Sequence, residues 1–329
     1  MSEFVSNCSM PLAIIFLIAG FFFLVKGADL FVEGSSSIAK KFHVPSIIIG
    51  LTIVAMGTSL PEAAVSVTAS LANQNTLAVS NVVGSNIFNL MVVIGMCTVL
   101  TPVAVQRETL KRDFPFSVIC AILLLVLGLI GPMELGHVDG VVFLVLFVIF
   151  IAYMIHSALK ASKEGKAMES EEVQAANAMK IMPLWKSLIF IVIGAVGIII
   201  GGDVVVDSAS NIATTLGMSQ TLVGLTIVSI GTSLPELVTS VVAAHKKEVD
   251  MALGNAIGSN IFNILMVLGI AGAISPIAFL MENVIDIAVL LGFSLIVWLF
   301  AWTKKKLNRT EGVIMLLLYA AYVMYICVR

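Results

Sequence analysis

Long apolar stretches follow one another along almost the whole chain, and they decide what it can fold into. Ten such stretches, each long enough to cross a bilayer as a helix, lie at 11–34, 45–72, 78–101, 114–131, 138–159, 184–208, 219–244, 251–275, 284–302 and 311–328. Only 12% of the 329 residues are charged, which leaves too few polar side chains to cover a surface in water. The sequence therefore predicts an all-α polytopic membrane protein with ten transmembrane helices. It excludes a soluble enzyme and a nucleic-acid-binding protein.

Lysine and arginine are confined to alternate loops, which gives the predicted helices an orientation. Sixteen of the 18 basic residues lie in or at the edges of the loops after the first, third, fifth, seventh and ninth stretches. The loops between them hold none. Because basic loops stay on the cytoplasmic side of a membrane, we expect these five loops to be cytoplasmic and both termini to lie outside.

Two sequence motifs occur twice with the same spacing. The segment Gly50–Glu62 recurs as Gly224–Glu236, and Gly84–Asn89 recurs as Gly258–Asn263, in both cases 174 residues later. Such a duplication indicates that the chain contains two structural repeats.

The duplication predicts a division of the chain into three parts. They are a first five-span repeat at 1–159, a cytoplasmic linker at 160–183 and a second five-span repeat at 184–329. Because five is an odd number, the second repeat enters the membrane in the opposite orientation. Inverted repeats are typical of secondary transporters, whose substrate site lies between the repeats near the middle of the bilayer.

Each repeat carries a glutamate inside an otherwise apolar stretch, Glu62 in the first and Glu236 in the second. A carboxylate at this depth is costly unless it is paired or hydrated. Basic side chains lie only at the cytoplasmic ends of these spans, and Lys26 of the first span is the one other candidate partner. A structural ion pair is the alternative, but the pattern favours a mobile cation as the partner.

Each glutamate follows a segment that should break its helix. Proline lacks an amide donor, and its ring crowds the carbonyl four residues earlier. That earlier position is a glycine in both repeats, with the pairs being Gly57 and Pro61, and Gly231 and Pro235. A kink without a site is the alternative for this pattern alone. Thr58 and Thr232 lie four residues before the glutamates, so hydroxyls and freed carbonyls together indicate an oxygen-lined cation site.

The second motif places polar side chains at four-residue intervals along one helix face. They are Asn81, Ser85 and Asn89 in the first repeat, and Asn255, Ser259 and Asn263 in the second. The serines and the last asparagine of each set are predicted ligands or their immediate neighbours. For Asn81 and Asn255 a role in joining helices is the alternative. All these oxygen groups suit Ca²⁺, Na⁺, Mg²⁺ or Mn²⁺ and disfavour Zn²⁺ and Cu⁺.

Two further pairs of acids lie toward the ends of the long first and sixth spans. Asp29 precedes Glu33 in the first, and Asp203 precedes Asp207 in the sixth. We expect them to attract cations toward the site. Helix capping or pairing with Lys26 is the alternative.

The charge of the two central glutamates suggests a mechanism. One Ca²⁺ or two Na⁺ would neutralise a charge of −2, and these ions would compete for the same oxygens. Because an empty site would be costly to close off from water, we expect obligatory exchange. Coupling to H⁺, or exchange of Mg²⁺ or Mn²⁺, is the alternative. An intramembrane hydrolase is less consistent with the residues present, since no zinc-protease motif or nucleophile elbow occurs. A channel is the third alternative, in which flux would continue without any counter-ion.

These duplicated motifs resemble the two repeats of the calcium/cation antiporter superfamily, most closely its prokaryotic Na⁺/Ca²⁺ exchanger branch. The resemblance covers essentially the whole chain. It implies an antiporter rather than an enzyme, with electrogenic Na⁺/Ca²⁺ exchange by alternating access at a site in the middle of the membrane. It implies location in a prokaryotic inner membrane, no cofactor, and no nucleic acid or obligatory protein partner.

The resemblance also implies roles for individual residues. The positions that match Ca²⁺ ligands are Glu62, Thr58, Glu236 and Thr232. The positions that match Na⁺ ligands are the same glutamates with Ala55, Ser59, Ser85, Ser229, Ser233 and Ser259. Asn89 and Asn263 match a central pair. Some relatives, including potassium-dependent exchangers, carry aspartate at the second of these positions, so K⁺ co-transport is not expected here.

Overall fold

The computed structural model describes residue 5 and residues 8–71, 76–130, 133–164, 181–218 and 229–328. Its α-helices are α1 Met10–Lys41, α2 Ser46–Ile49, α3 Ala55–Thr58, α4 Leu60–Leu71, α5 Thr76–Phe88, α6 Ile94–Leu100, α7 Phe114–Leu129, α8 His137–Glu164, α9 Leu184–Thr215, α10 Ser229–Gly231, α11 Leu234–His245, α12 Val249–Phe262, α13 Leu268–Ile274, α14 Met281–Lys304 and α15 Arg309–Val328. In the described part of the chain, π-helical turns lie within or before these helices at Gly50–Val54, Asn89–Val93, Thr109–Asp113 and Asn263–Val267.

The predicted membrane spans are present as helices wherever the structure describes them. Among the described residues, eight helices are long and apolar enough to cross a bilayer, and the bent pair Ser46–Thr58 and Leu60–Leu71 makes a ninth. The seventh predicted span begins at 219, and its first ten residues, 219–228, lie outside the described residues. The all-helical membrane fold is confirmed. The bounds predicted for the two repeats and the linker stay a prediction.

Two helical segments form the centre of the molecule. In Ala78–Leu100 and in Val249–Ile274, 78% of the residues in the most apolar 18-residue stretch are buried. In the other unbroken spans the same share is 17–33%. These segments contain the duplicated Gly-Ser-Asn-Ile-Phe-Asn motif. The outer helices turn large apolar side chains outward, such as Phe22 on α1 and Val148 on α8. That arrangement is the one expected of a protein whose outer surface meets lipid.

The long helices α1 and α9 cross each other with their backbones in contact. A methyl group added at Gly27 would lie 2.7 Å from the Ile198 nitrogen, and one at Gly194 would lie 2.6 Å from the Phe31 nitrogen. Only glycine permits this approach, which is how membrane helices commonly pack closely.

Two short strand pairs connect the halves of the chain on opposite sides. Strand β1, Val103–Ala104, pairs with β4, Lys306–Leu307, in an antiparallel ladder with Val103 opposite Leu307. Strand β2, Glu134–Leu135, pairs in the same way with β3, Ile277–Ala278. The apolar pattern did not predict these strands, because each is a two-residue piece of a loop.

Four of the five basic loops, those with described residues near 42–45, 101–108, 246–248 and 305–308, lie together on one side. Beyond the β1–β4 pair, Ser46 donates to Glu248 at 2.9 Å, and Lys40 lies 3.7 Å from Glu248. Gln106 also donates to Asp250. We call the side formed by loops 42–45, 101–108, 246–248 and 305–308 the basic face.

Candidate functional site

The predicted breaks in the helices are present before both glutamates. The helix Ser46–Thr58 ends and Leu60–Leu71 begins with a bend of 48°, leaving Ser59 between them. In the second half, α10 ends at Gly231 and α11 begins at Leu234 with Pro235 in its first turn. The break thus falls between glycine and proline, as expected from the lost amide donor and the crowded carbonyl.

The glycines of these breaks have a second function that the sequence did not reveal. A methyl group at Gly57 would lie 2.6 Å from the Phe31 ring of α1, and one at Gly231 would collide with Val206 of α9. Each break is therefore covered by one of the two long crossing helices.

Glu62 and Glu236 are both fully buried, and each accepts a hydrogen bond from a serine of the opposite repeat. Ser59 Oγ donates to Glu236 Oε1 at 2.7 Å, and Ser233 Oγ donates to Glu62 Oε1 at 3.4 Å. Ser259 Oγ also donates to Glu236 Oε1, at 3.5 Å. The breaks therefore bring the two predicted carboxylates and these serines into one site.

The second oxygen of each carboxylate, Oε2 of Glu62 and of Glu236, is buried without a hydrogen-bond partner among the described residues. Within the described ranges no ion pair reaches either carboxylate, and Lys26 is not paired with them. The mobile-cation interpretation of these two carboxylates stays a prediction.

Several other predicted ligands border this site. Thr58 is fully buried, and its Oγ1 lies 3.1 Å from Asn255 Oδ1 and 3.2 Å from the Val54 carbonyl oxygen, so either can accept its one hydroxyl hydrogen. Ser85 Oγ lies within hydrogen-bonding distance of Ser233 Oγ, at 3.0 Å. Ala55 is buried, and its carbonyl already accepts the amide of Ser59 at 3.0 Å.

Two of the predicted ligands are less fully described. Thr232 is half-buried within the turn between α10 and α11. Ser229 begins α10, but its side chain lies outside the described part of the chain. The roles of all these residues as ion ligands stay predictions.

The repeat-related residues Asn81 and Asn255 differ in their contacts. Asn255 Nδ2 donates to Ser240 Oγ at 2.9 Å and to the Glu236 carbonyl at 3.4 Å. It therefore joins α12 to α11, which is the alternative role that the sequence allowed. The Asn81 Nδ2 is buried and has no partner among the described residues.

The second motif of the second repeat packs closely against the first repeat. A methyl group at Gly258 would lie 2.7 Å from Leu51 Cα. A methyl group at Gly254 would lie 2.6 Å from the Ile47 carbonyl. Helix α12 thus seals tightly against residues 46–58 near the basic face.

The acids of the long helices also differ. Asp29 lies 2.6 Å from Lys246 Nζ, and Glu33 lies 3.8 Å from it, so the cation beside them is Lys246 of the α11–α12 turn rather than Lys26. Asp203 is exposed on α9. Its role in attracting cations stays a prediction.

The central asparagines are fully buried. Both side-chain atoms of Asn89, and Oδ1 of Asn263, have no partner among the described residues. Sequence reasoning missed Asn86 and Asn260, which hydrogen-bond to each other across the two halves. Both belong to the duplicated motif, so the duplication could have indicated them. They do not lie on the helix face formed by the polar residues at four-residue intervals, which is the pattern that the sequence analysis used.

Comparison with known proteins establishes the family. The family described as sodium/calcium exchanger protein matches residues 12–156 and 186–328, which are the two halves of the chain. The chain belongs to the sodium/calcium exchanger family. It is therefore a cation/Ca²⁺ exchanger and an antiporter of the membrane rather than an enzyme, as the sequence predicted.

Similar proteins cover nearly its whole length. Sodium/calcium exchanger MaX1 of Methanosarcina acetivorans is 32% identical over 335 residues, covering 93% of this chain and 96% of that relative. Inner membrane protein YrbG of Escherichia coli is 34% identical over 299 residues, covering 88% and 90%. The sodium-calcium exchanger NCX_Mj soaked with zero Na⁺ and Ca²⁺ superposes with a TM-score of 0.82 at 33% identity, covering 97% of this chain and 100% of that chain.

Proposed function

We propose that this chain exchanges Na⁺ for Ca²⁺ by alternating access, with Ca²⁺ bound between Glu62 and Glu236. The observation that carries the proposal is the pair of fully buried carboxylates, each with one oxygen that no described residue satisfies. Two such anions, for which the described residues supply no basic partner, are costly in a membrane, and a bound cation would neutralise them. The similarity to sodium/calcium exchangers supports Na⁺ as the coupling ion.

The geometry around the carboxylates supports competition between the two ions. Each glutamate accepts a hydrogen bond from a serine at the opposite helix break. The serine hydroxyl oxygens therefore lie beside the carboxylates, where both could bind the monovalent Na⁺. One Ca²⁺, or Na⁺ ions bound among the carboxylates and hydroxyls, would neutralise the same pair of anions. Binding is then mutually exclusive, and exchange is coupled.

The orientation of the protein in the membrane follows from its loops. The basic face contains the loops that the positive-inside rule assigns to the cytoplasm. We place this face on the cytoplasmic side of a prokaryotic inner membrane, with both termini outside. The inner membrane protein YrbG is similar over most of the chain.

Flux measurements on the purified protein test the proposed coupling. Proteoliposomes loaded with Na⁺ and diluted into Na⁺-free buffer should take up ⁴⁵Ca²⁺, and uptake should stop when the Na⁺ gradient is removed. A pH gradient imposed without a Na⁺ gradient should drive no uptake. Uptake that follows the pH gradient and ignores Na⁺ would show that the chain is an H⁺-coupled antiporter. Competition by Mg²⁺ and Mn²⁺ tests the cargo.

Variants test the location of the site. Glu62→Gln and Glu236→Gln should each abolish exchange, since each removes half of the charge that holds Ca²⁺. Glu134→Gln is the matched control, because Glu134 lies in strand β2, away from both helix breaks. Normal uptake by both site variants would refute the assignment.

A further inference from the structure

The asparagines Asn86 and Asn260 form a reciprocal pair between the two central helices. Asn86 Nδ2 donates to the Asn260 carbonyl at 3.1 Å, and Asn260 Nδ2 donates to the Asn86 carbonyl at 3.1 Å. Both residues are buried, at 0% and 4% exposure, and they occupy equivalent positions of the two repeats. The pair therefore lies where the repeats meet.

The reciprocal bonds fix the orientation of both amides. A backbone carbonyl can only accept, so each of these asparagines must direct its Nδ2 toward the other residue. Each Oδ1 must then point elsewhere and can only accept. The direction of these side chains follows from the chemistry of the carbonyls.

The Oδ1 of Asn86 in turn fixes the central asparagine of the opposite repeat. Asn263 Nδ2 donates to it at 3.2 Å. Because that amide nitrogen is used, the Oδ1 of Asn263 is the atom that remains, and it is buried without a partner among the described residues. The unsatisfied atom of Asn263 is thus its oxygen and not its NH₂ group.

The equivalent hydrogen bond in the other half is not formed. It would run from Asn89 Nδ2 to Asn260 Oδ1, and both of these atoms are buried without a described partner. The two halves differ in the same sense at Asn255, whose Nδ2 donates to Ser240, and at Asn81, whose Nδ2 has no hydrogen-bond partner among the described residues. Of the two repeat-related bonds, the one from Asn263 to Asn86 is therefore formed and the one from Asn89 to Asn260 is not.

We infer that Asn86 and Asn260 are positioning residues, each of which holds the central asparagine of the opposite repeat with its Oδ1 toward the transported ion. In the conformation described here Asn86 holds Asn263. In the conformation that exposes the site to the other side of the membrane, Asn260 holds Asn89. This inference rests on the proposed function, because it assigns the ion path to that site.

A double-mutant cycle tests whether Asn86 acts through Asn263. Ca²⁺ KM is measured by ⁴⁵Ca²⁺ uptake, and Ca²⁺ binding is measured in detergent by the shift in Tm, which needs no coupling ion. Asn86→Ala should raise the KM and the apparent Kd about fivefold, equivalent to about 1 kcal/mol. In the Asn263→Ala background, the same substitution should cause no further increase, because the group it orients is gone.

Asn283→Ala is the matched control. Asn283 is also fully buried, but it donates to Ser80 and caps the start of α14, outside the network. Its loss should lower Tm without changing the Ca²⁺ KM. If Asn86→Ala likewise lowers only Tm, or if its effect adds fully to that of Asn263→Ala, the inference is overturned.

The repeat-related residues give a second, independent cycle. Asn260→Ala and Asn89→Ala are measured in the same way, and non-additive effects on the Ca²⁺ KM are expected. This cycle decides the question if Asn86→Ala does not yield folded protein. The binding readout separates the inference from the proposed function. Failure of Na⁺ to drive uptake refutes the coupling, whereas additive effects on Ca²⁺ binding refute the positioning role.

Discussion

Lys246 fastens helix α1 to the turn after α11, and neutralising it should loosen the closure at the basic face. Its Nζ lies 2.6 Å from Asp29 Oδ1 and 3.8 Å from Glu33 Oε2, and it donates to the Asp29 carbonyl at 3.0 Å. The acids are 37% and 41% exposed, so solvent screens the attraction. An exposed pair contributes about 0.2–1 kcal/mol. With two acids, we expect about 1 kcal/mol in total, or about a fivefold change in the open population.

Cysteine labelling from the basic face measures that population. Ile47 is 2% exposed and lies against Gly254 where α12 seals this face, so a cysteine there reacts only when the seal opens. The accessible cysteines Cys8 and Cys327 are first replaced by serine. In the Ile47→Cys protein, Lys246→Gln should speed the reaction with a membrane-impermeant maleimide about fivefold.

Neighbouring and reversed charges provide the controls. Lys247→Gln makes the same charge change in the same turn, where the described structure shows no ion pair, and it should leave the rate unchanged. The exchange Asp29→Lys with Lys246→Asp should restore slow labelling. At about 1 M KCl the Debye length falls to about 3 Å, so the effect of Lys246→Gln should shrink. An unchanged rate in Lys246→Gln, or equal acceleration in Lys247→Gln, would refute the reasoning.

Two further predictions concern stability. Gly258→Ala would place a methyl group 2.7 Å from Leu51 Cα, so overpacking should cost about 1–3 kcal/mol and lower Tm in scanning fluorimetry. Gly292→Ala meets open space on α14 and should leave Tm unchanged or raise it; equal losses in both variants would contradict the packing argument. Ca²⁺ at about 100 times its Kd should stabilise the protein by about 2.7 kcal/mol. The double variant Glu62→Gln and Glu236→Gln should lose that thermal shift, and a shift that persists would place Ca²⁺ elsewhere.

Much of the fold could be predicted because its signals are local. Apolar length marks each span, and the pairing of Gly57 with Pro61 marks the break that the structure shows at Ser59. Duplication pointed to Glu62 and Glu236 as one site, since inverted repeats bring equivalent positions together. These inferences require only the neighbours of a residue along the chain.

Other features could not be predicted, because they depend on contacts between distant segments. The partner of Asp29 is Lys246, more than two hundred residues away, and not Lys26 one turn earlier on the same helix. The reciprocal bonds of Asn86 and Asn260 also cross between the repeats, so spacing within one helix gave no indication of them.

The sequence by itself determined that this chain is a helical membrane protein with two equivalent halves and a carboxylate in each. It did so because apolar length, helix-breaking residues and duplication are properties of continuous segments. Only the tertiary structure decided which hydrogen bonds join the two halves. The repeats carry nearly the same residues, yet Asn255 Nδ2 donates to Ser240 Oγ while the buried Nδ2 of Asn81 has no hydrogen-bond partner among the described residues. Two nearly identical sequences can occupy two different packing arrangements, and the choice between them lies in the contacts between the halves.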